Sequence, residues 1–332
     1  MARPAKTFSL LADIGGTNTR VALAQGTQLL TESIRRYRNV DFPGLETVLR
    51  RYISDEGGVD CIGAAVDLAG PVRDGVGTMT NLDWTIDKDT LSRATGAETV
   101  AILNDMQAFG HAVGHLDDTS VRMVLDGPQG GPHAAKLVIN VGTGFNAAPV
   151  YDTDWGRLVT PSECGHANLP IRTEAELRLC QFVETAHGFP AVEDVLSGRG
   201  LERVYAWLGQ EEGDPREMAA ADIMAACNRG DDPRAEQAAR VFVRILGTVC
   251  GNLALIHLPF GGVFLVGGVV RAFEPHLARL GYQDAFRDKG RFAGFMQNFR
   301  VCVVEDDYAA LTGLAHHLSH LIAGPAVAPV KS

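Results

Sequence analysis

Residues 10–23, LLADIGGTNTRVAL, run through apolar residues into Asp13, turn on Gly15, Gly16 and Thr17, and leave on a second apolar run. Apolar runs either side of a glycine pair read as two antiparallel strands joined by a tight turn. LLTESIRRYR (29–38) adds a third strand, so residues 7–40 form an antiparallel meander. The pattern then changes. FPGLETVLRRYISDEG (42–57) has helical spacing, CIGAAVDLAGPV (61–72) reads as a buried strand, DKDTLSRATG (87–96) as a helix and ETVAILND (98–105) as another strand. Strands that alternate with helices imply parallel pairing. At KLVINVGTGFNAAPVYD (136–152) the chain begins again with strand, glycine turn and strand, so DIGGTN and VGTGFN read as the turns of two duplicated halves. Helices dominate 173–258, GGVFLVGGVV (261–270) is a further buried strand ending in glycines, and FRVCVVEDD (299–307) precedes a final amphipathic helix. GPQGGPH (127–133) reads as a loop and GPAVAPVKS (324–332) as a frayed tail.

A chain of 332 residues exceeds the roughly 100–200 residues of one core, which favours two domains. With 46% hydrophobic and 21% charged residues the composition is that of a globular protein. No apolar run is expected to reach the roughly 20 residues of a membrane helix, and MARPAKTFSL lacks a signal-like apolar core, so a cytoplasmic location is expected. A net charge of -10 disfavours nucleic acid. The six cysteines form no C-x-x-C pair, which argues against a zinc site or a disulfide framework.

The turns carry the chemistry. Strand-turn-strand around Gly15-Gly16-Thr17 differs from a dinucleotide fingerprint, and G-x-x-x-x-G-K-[ST] is absent. Glycines nevertheless let consecutive N–H groups approach an anion, Thr17 adds a hydroxyl donor, and Asp13 at the strand end can hold a hydrated Mg²⁺. A plain hairpin is the competing reading. The second turn, Gly142-Thr143-Gly144, weakens it, since two such loops suit a nucleoside triphosphate. Gly267 and Gly268 offer a third glycine-rich strand end that could wall an adenosine or serve only close packing. Asn104 and Asp105 lie between a strand and a helix, where parallel sheets present ligand residues, although Asp105 could equally be a helix cap. Glu163 and His166 share a loop and Glu193 lies on another.

Together LADIGGTNTR, MTNLDW, ILND, VGTGF, ECGH, VEDVLSGRGL, GGVFLVGGVV, AFRDKGRF and LTGLAHHL resemble, in order and spacing, the bacterial glucokinases of the actin-like sugar-kinase superfamily, in their zinc-free branch. The resemblance implies a two-domain α/β fold of the actin-like (ribonuclease H-like) ATPase type with a cleft between a small domain (1–117 plus 306–332) and a large one (118–305). It implies phosphorylation of glucose to glucose 6-phosphate with ATP and Mg²⁺, in a homodimer without membrane or nucleic-acid partners. Carried over residue by residue, it makes Asp105 the catalytic base, and Asn104, Asp105, Glu163, His166 and Glu193 the partners of the sugar hydroxyls. It places Ala12, Asp13, Ile14, Gly15, Gly16, Thr17, Gly142, Thr143, Gly144, Gly267 and Gly268 around the nucleotide, with Asp13 reaching Mg²⁺ through water. Ser162 and Cys164 flank Glu163 where the family more often has glycine, and Phe145-Asn146 replaces a smaller, glycine-containing pair. These departures bear on turnover and sugar choice. The alternatives are a kinase for another hexose, such as glucosamine or mannose, and a catalytically silent sugar sensor, which retention of Asp105 and Asp13 disfavours.

Overall fold

The computed structural model describes residues 7–79 and 82–324. Thr80 and Asn81 of MTNLDW, and the tail 325–332, lie outside the described residues. The chain divides into two compact units, one of Met1–Asp117, Thr153–Val159 and Asp306–Ser332, the other of Asp118–Asp152 and Thr160–Glu305.

The first unit begins with strands β1 (Phe8–Ile14), β2 (Asn18–Gln25) and β3 (Gln28–Arg38), followed by helix α1 (Leu45–Asp55) and strand β4 (Cys61–Leu68). Three short strands, β5 (Val72–Arg73), β6 (Val76–Thr78) and β7 (Thr85–Asp87), form a small antiparallel sheet. Helix α2 (Lys88–Thr95), strand β8 (Thr99–Asn104) and helix α3 (Asp105–Ala112) follow. The main sheet has the order β3-β2-β1-β4-β8, antiparallel through the meander and parallel from β1 to β4 and β8. Its two faces are packed differently. One carries large side chains, among them Leu10, Ile14, Val21, Val66 and Leu68, and Tyr52 of α1 and Trp84 belong to the core built on it. The other is lined by Ala22, Ala65 and Ala101 with Leu11 and Leu103, so a helix can approach it closely.

The chain then builds the second unit from β9 (Val121–Leu125), β10 (Lys136–Val141) and β11 (Phe145–Thr153). Strand β12 (Gly156–Val159) lies in the stretch that groups with the first unit. This stretch falls inside 118–305, the span the sequence suggests for the large domain. The cause is Arg157, whose guanidinium donates to the carbonyls of Val113, His111 and Gly110 at 2.7, 3.0 and 3.3 Å. Helices α4 (Glu174–His187), α5 (Gly198–Glu211), α6 (Ala220–Arg229) and α7 (Pro233–His257) come next, then β13 (Gly262–Val266), α8 (Gly268–Leu277), α9 (Tyr282–Arg287) and β14 (Val301–Val304). Within this unit the strands run β11-β10-β13-β14-β9. An antiparallel hairpin followed by parallel neighbours repeats the arrangement of the first unit, and each hairpin turns on one of the two glycine motifs. Helix α10 (Ala309–Ala323) returns to the first unit, where Leu311, Leu314 and Leu318 cover the alanine-lined face.

Helix α7 corrects one expectation, because by length and composition it is apolar enough to cross a membrane. Here it is the central core helix of its unit: Ala238, Phe242, Leu246 and Cys250 are fully buried, and Phe242 stacks on Phe273 of α8 at 4.6 Å. The AFRDKGRF motif at the end of α9 has a structural use. Lys289 donates to the Thr248 carbonyl and Asn252 Oδ1 of α7 at 2.9 and 2.8 Å, which ties the loop to this helix.

Candidate active site

In the first unit, β1 ends at the glycine turn and β4 and β8 end beside it, all with the same polarity. Asp13 faces Arg20 across the antiparallel pair and Asp67 across the parallel one, so register alone sets three charged residues in a row. Arg20 Nη1 donates to Asp13 Oδ2 at 3.0 Å and to the Asp307 carbonyl at 3.3 Å. Asp67 is fully buried, and among the described residues neither of its oxygens receives a donor. Burial raises its pKa well above the usual carboxylate range, and the charges of Asp13 and Asp105 raise it further. Burial also raises that of Asp13, with the Arg20 guanidinium opposing. The sequence reading missed Asp67, although an aspartate inside an apolar strand was a visible signal: a buried charge needs a partner.

The glycine turn is braced from below. Asn39, almost fully buried, donates through Nδ2 to the Gly15 carbonyl at 2.7 Å, gives its own N–H to the Thr17 carbonyl at 2.9 Å, and accepts from Thr19 Oγ1 at 2.8 Å. Gly16 and Thr17 are exposed. The side chains of Ala12 and Ile14 are buried in the core, so of these two only the backbone can serve a ligand. At the end of β8 the cap falls on Asn104 rather than on Asp105. Asn104 Oδ1 accepts the Gln107 N–H at 2.9 Å while Gln107 Oε1 accepts the Asn104 N–H at 3.2 Å, a complete capping box. Asp105 is the first helical residue, half-buried, and its Oδ1 accepts the Met106 N–H at 2.8 Å.

In the second unit, Gly142 closes the turn by donating to the Gly144 carbonyl at 2.9 Å, and its own carbonyl accepts the Gly198 N–H at 3.0 Å. Gly198 opens α5 behind the cap Ser197. Helix α8 starts at Gly268, and Gly198 lies 3.8 Å from Val269 when given a Cβ. Two helix N-termini and a glycine turn thus meet, which concentrates N–H donors and positive dipole ends suited to phosphate. Gly267 has φ +106°, and a Cβ there would sit 2.4 Å from Asn140 Oδ1, so only glycine fits. The role of Ser197 and Gly198 was not read from the sequence, where VLSGRGL shows no phosphate pattern.

The sugar-side candidates of this unit lie on adjacent loops. The Glu193 N–H donates to the Gly165 carbonyl at 2.8 Å, that of Val192 to Ala167 at 2.9 Å, and that of Leu169 to Pro190 at 3.0 Å. The pairing brings Glu163, His166 and Glu193 together. Gly165 allows it, since a Cβ there would meet the Phe145 carbonyl at 1.9 Å. Glu193 Oε2 accepts the Phe145 N–H at 2.9 Å, directly after the glycine turn. Glu163 and His166 are exposed, and Glu163 Oε2 accepts from Asn146 Nδ2 at 3.2 Å. Burial raises the pKa of the Cys164 thiol.

A family model described as Glucokinase matches residues 10–321. A glucokinase of Sinorhizobium fredii is 32% identical over 308 residues, which cover 92% of this chain and 90% of that protein. Among solved structures, a glucokinase from an Antarctic psychrotroph aligns with a TM-score of 0.84 at 28% identity, covering 94% of this chain and 98% of its own. A glucokinase from Balamuthia mandrillaris in complex with glucose aligns with a TM-score of 0.79 at 22% identity, covering 94% and 93%.

Proposed function

This chain belongs to the glucokinase family, and on that premise we propose how its residues carry out the ATP-dependent phosphorylation of D-glucose. The fold is the mixed α/β fold of the actin-like sugar kinases. The observation that carries the assignment of roles is the position of Asp105. It lies at the end of a parallel strand, at the start of a helix that Asn104 and Gln107 already cap, so its carboxylate is not needed to cap that helix.

Asp105 accepts the proton of the glucose 6-hydroxyl as that oxygen attacks the γ-phosphorus. Such general-base help is worth about 10²- to 10⁴-fold in rate. Asn104, Glu163, His166 and Glu193 hold the other hydroxyls, and a carboxylate can accept from two neighbouring hydroxyls at once. The N–H groups of Gly16, Thr17, Thr143 and Gly144, with those of Arg199, Gly268 and Val269 in the first turns of α5 and α8, receive the phosphate oxygens, with Gly267 and Gly268 beside the nucleoside. They stabilise charge without reorganising during the reaction.

The residues present fit Mg²⁺. Asp13 and Asp67 are paired hard-oxygen donors, and among the described residues nothing donates to either oxygen of the buried Asp67. Asp13 would hold the ion through water, with Asp67 behind it. When bound, Mg²⁺ neutralises charge on the β- and γ-phosphates. The reading includes a cytoplasmic homodimer, as the family resemblance implies, and light scattering after size exclusion checks the dimer. The activity is tested by coupling ADP release to NADH oxidation across a hexose panel. Glucose should give the highest kcat/KM and 6-deoxyglucose no turnover; a higher kcat/KM for mannose or glucosamine would reassign the acceptor.

A further inference from the structure

Asn146 stands at the start of β11, in the pair that departs from the family pattern, and its side chain is held by several groups at once. Its Oδ1 accepts the Ala147 N–H at 2.9 Å. A backbone N–H only donates, so this bond fixes which end of the amide is oxygen and leaves Nδ2 on the other side. Ser162 Oγ approaches the same Oδ1 at 3.2 Å while also donating to the Ala147 carbonyl at 2.7 Å, and Cys164 Sγ adds a weak donor at 3.6 Å. The freed Nδ2 then donates to Glu163 Oε2 at 3.2 Å. All the departures near Glu163 except Phe145 therefore belong to one network, and Phe145 has its own tie to Glu193 through its N–H. A glycine at 146 could make none of the side-chain bonds.

We propose that Asn146, oriented by Ser162 and Cys164, is a positioning residue that sets the carboxylate plane of Glu163 and so tunes which hexose hydroxyls this site accepts. The proposal rests on the reading of Glu163 as a sugar ligand. Glu163 is exposed, and an exposed carboxylate on a loop has several rotamers to lose on binding sugar. The amide of Asn146 selects one beforehand and occupies part of Oε2, which leaves Oε1 and the remaining lone pair for hydroxyls. A buried or ligand-engaged acceptor matched to its donors discriminates strongly against a misplaced hydroxyl, because the mismatch leaves a polar group unpaired.

The test is a double-mutant cycle read by calorimetric titration of glucose without ATP, together with steady-state kinetics on glucose and its 2- and 4-epimers. Asn146→Asp keeps shape and the acceptor Oδ1 but sets a carboxylate oxygen where the donor to Glu163 was; Asn146→Leu removes both functions. Either folded variant should weaken glucose binding roughly 5- to 100-fold, raise KM, keep kcat within about threefold of wild type, and narrow the gap between glucose and its epimers. In a Glu163→Ala background the same Asn146 substitutions should add less than about twofold, since the partner is gone. An equal loss in both backgrounds, or unchanged glucose affinity in the Asn146 variants, would overturn the proposal. Failure of the wild-type protein to turn over glucose would instead overturn the assignment of substrate, so the two failures are distinguishable.

Discussion

Replacing Asp105 by asparagine separates chemistry from architecture. Asp105 Oδ1 accepts the Met106 N–H at 2.8 Å, and an asparagine carbonyl can accept the same bond. The helix start does not rely on it, because Asn104 and Gln107 close the capping box by themselves. Loss of one negative charge in the first turn costs about 0.3–1 kcal/mol. It is opposed by relief of the buried Asp67, on which the charge of Asp105 acts unfavourably. The melting temperature should therefore move by only a few degrees. The amide cannot take a proton, so kcat should fall about 10²- to 10⁴-fold, equivalent to about 3–5 kcal/mol of barrier, with glucose affinity within about tenfold of wild type. The assay is coupled steady-state kinetics, with calorimetric titration of glucose and circular dichroism on the same preparation. A variant that keeps more than about a tenth of wild-type kcat would refute the base assignment, given the size of effect expected of a general base.

Glu163→Gln should raise the KM for glucose by a factor equivalent to about 1–3 kcal/mol, with kcat largely kept, because one sugar hydroxyl then meets an N–H; a fall in kcat alone would contradict this. In Gly144→Ala the new Cβ would lie 2.4 Å from Glu193 Oε2, so the flexible carboxylate should swing off the Phe145 N–H. Glucose binding should weaken while thermal stability changes little, and calorimetry with differential scanning fluorimetry reads both. Burial first, and neighbouring cations second, depress His111 to about 3 and His316 and His317 to about 4 in the folded first unit. Unfolded histidine titrates near pH 6.5, so below that pH the unfolded chain binds more protons. This contribution leaves stability level above about pH 6.5 and lowers it progressively toward about pH 4 for His316 and His317 and about pH 3 for His111. His111→Gln should flatten the melting-temperature profile between these limits, and an unaltered slope would count against the assignment. The raised thiol pKa of Cys164 predicts that alkylation by iodoacetamide is slow at pH 7, accelerates beyond pH 9, and is slowed by glucose; inactivation unchanged in Cys164→Ser would place it at another thiol.

Much of this architecture was legible in the chain because periodicity and turn chemistry are local. The meander of residues 7–40, the second hairpin on Gly142-Thr143-Gly144, and the helical run of 173–258 each announce themselves within a window of a few turns. What stayed hidden depends on register and on single long-range bonds. Asp67 looked like part of an apolar strand, and only the pairing of β1 with β4 sets it beside Asp13. The stretch Thr153–Val159 follows Arg157 to three carbonyls more than forty residues away in sequence, a tie with no composition to betray it. The identity of the cap at β8 turned on one residue, because Asn104 and Asp105 are both good caps and only the partner at Gln107 decides. Nor could the sequence show that Asn146, Ser162 and Cys164, each a separate departure, meet at one amide oxygen.

Transfer of a phosphoryl group from ATP to the 6-hydroxyl of glucose is read without intermediary by identifying the product. Purified protein is incubated with Mg-ATP and ¹³C-labelled glucose, and the mixture is followed by ³¹P and ¹³C NMR. One sugar phosphate, with phosphorus coupled to C6, should accumulate in equal amount with ADP. Phosphate appearing at another carbon, or ADP formed only with inorganic phosphate, would contradict it.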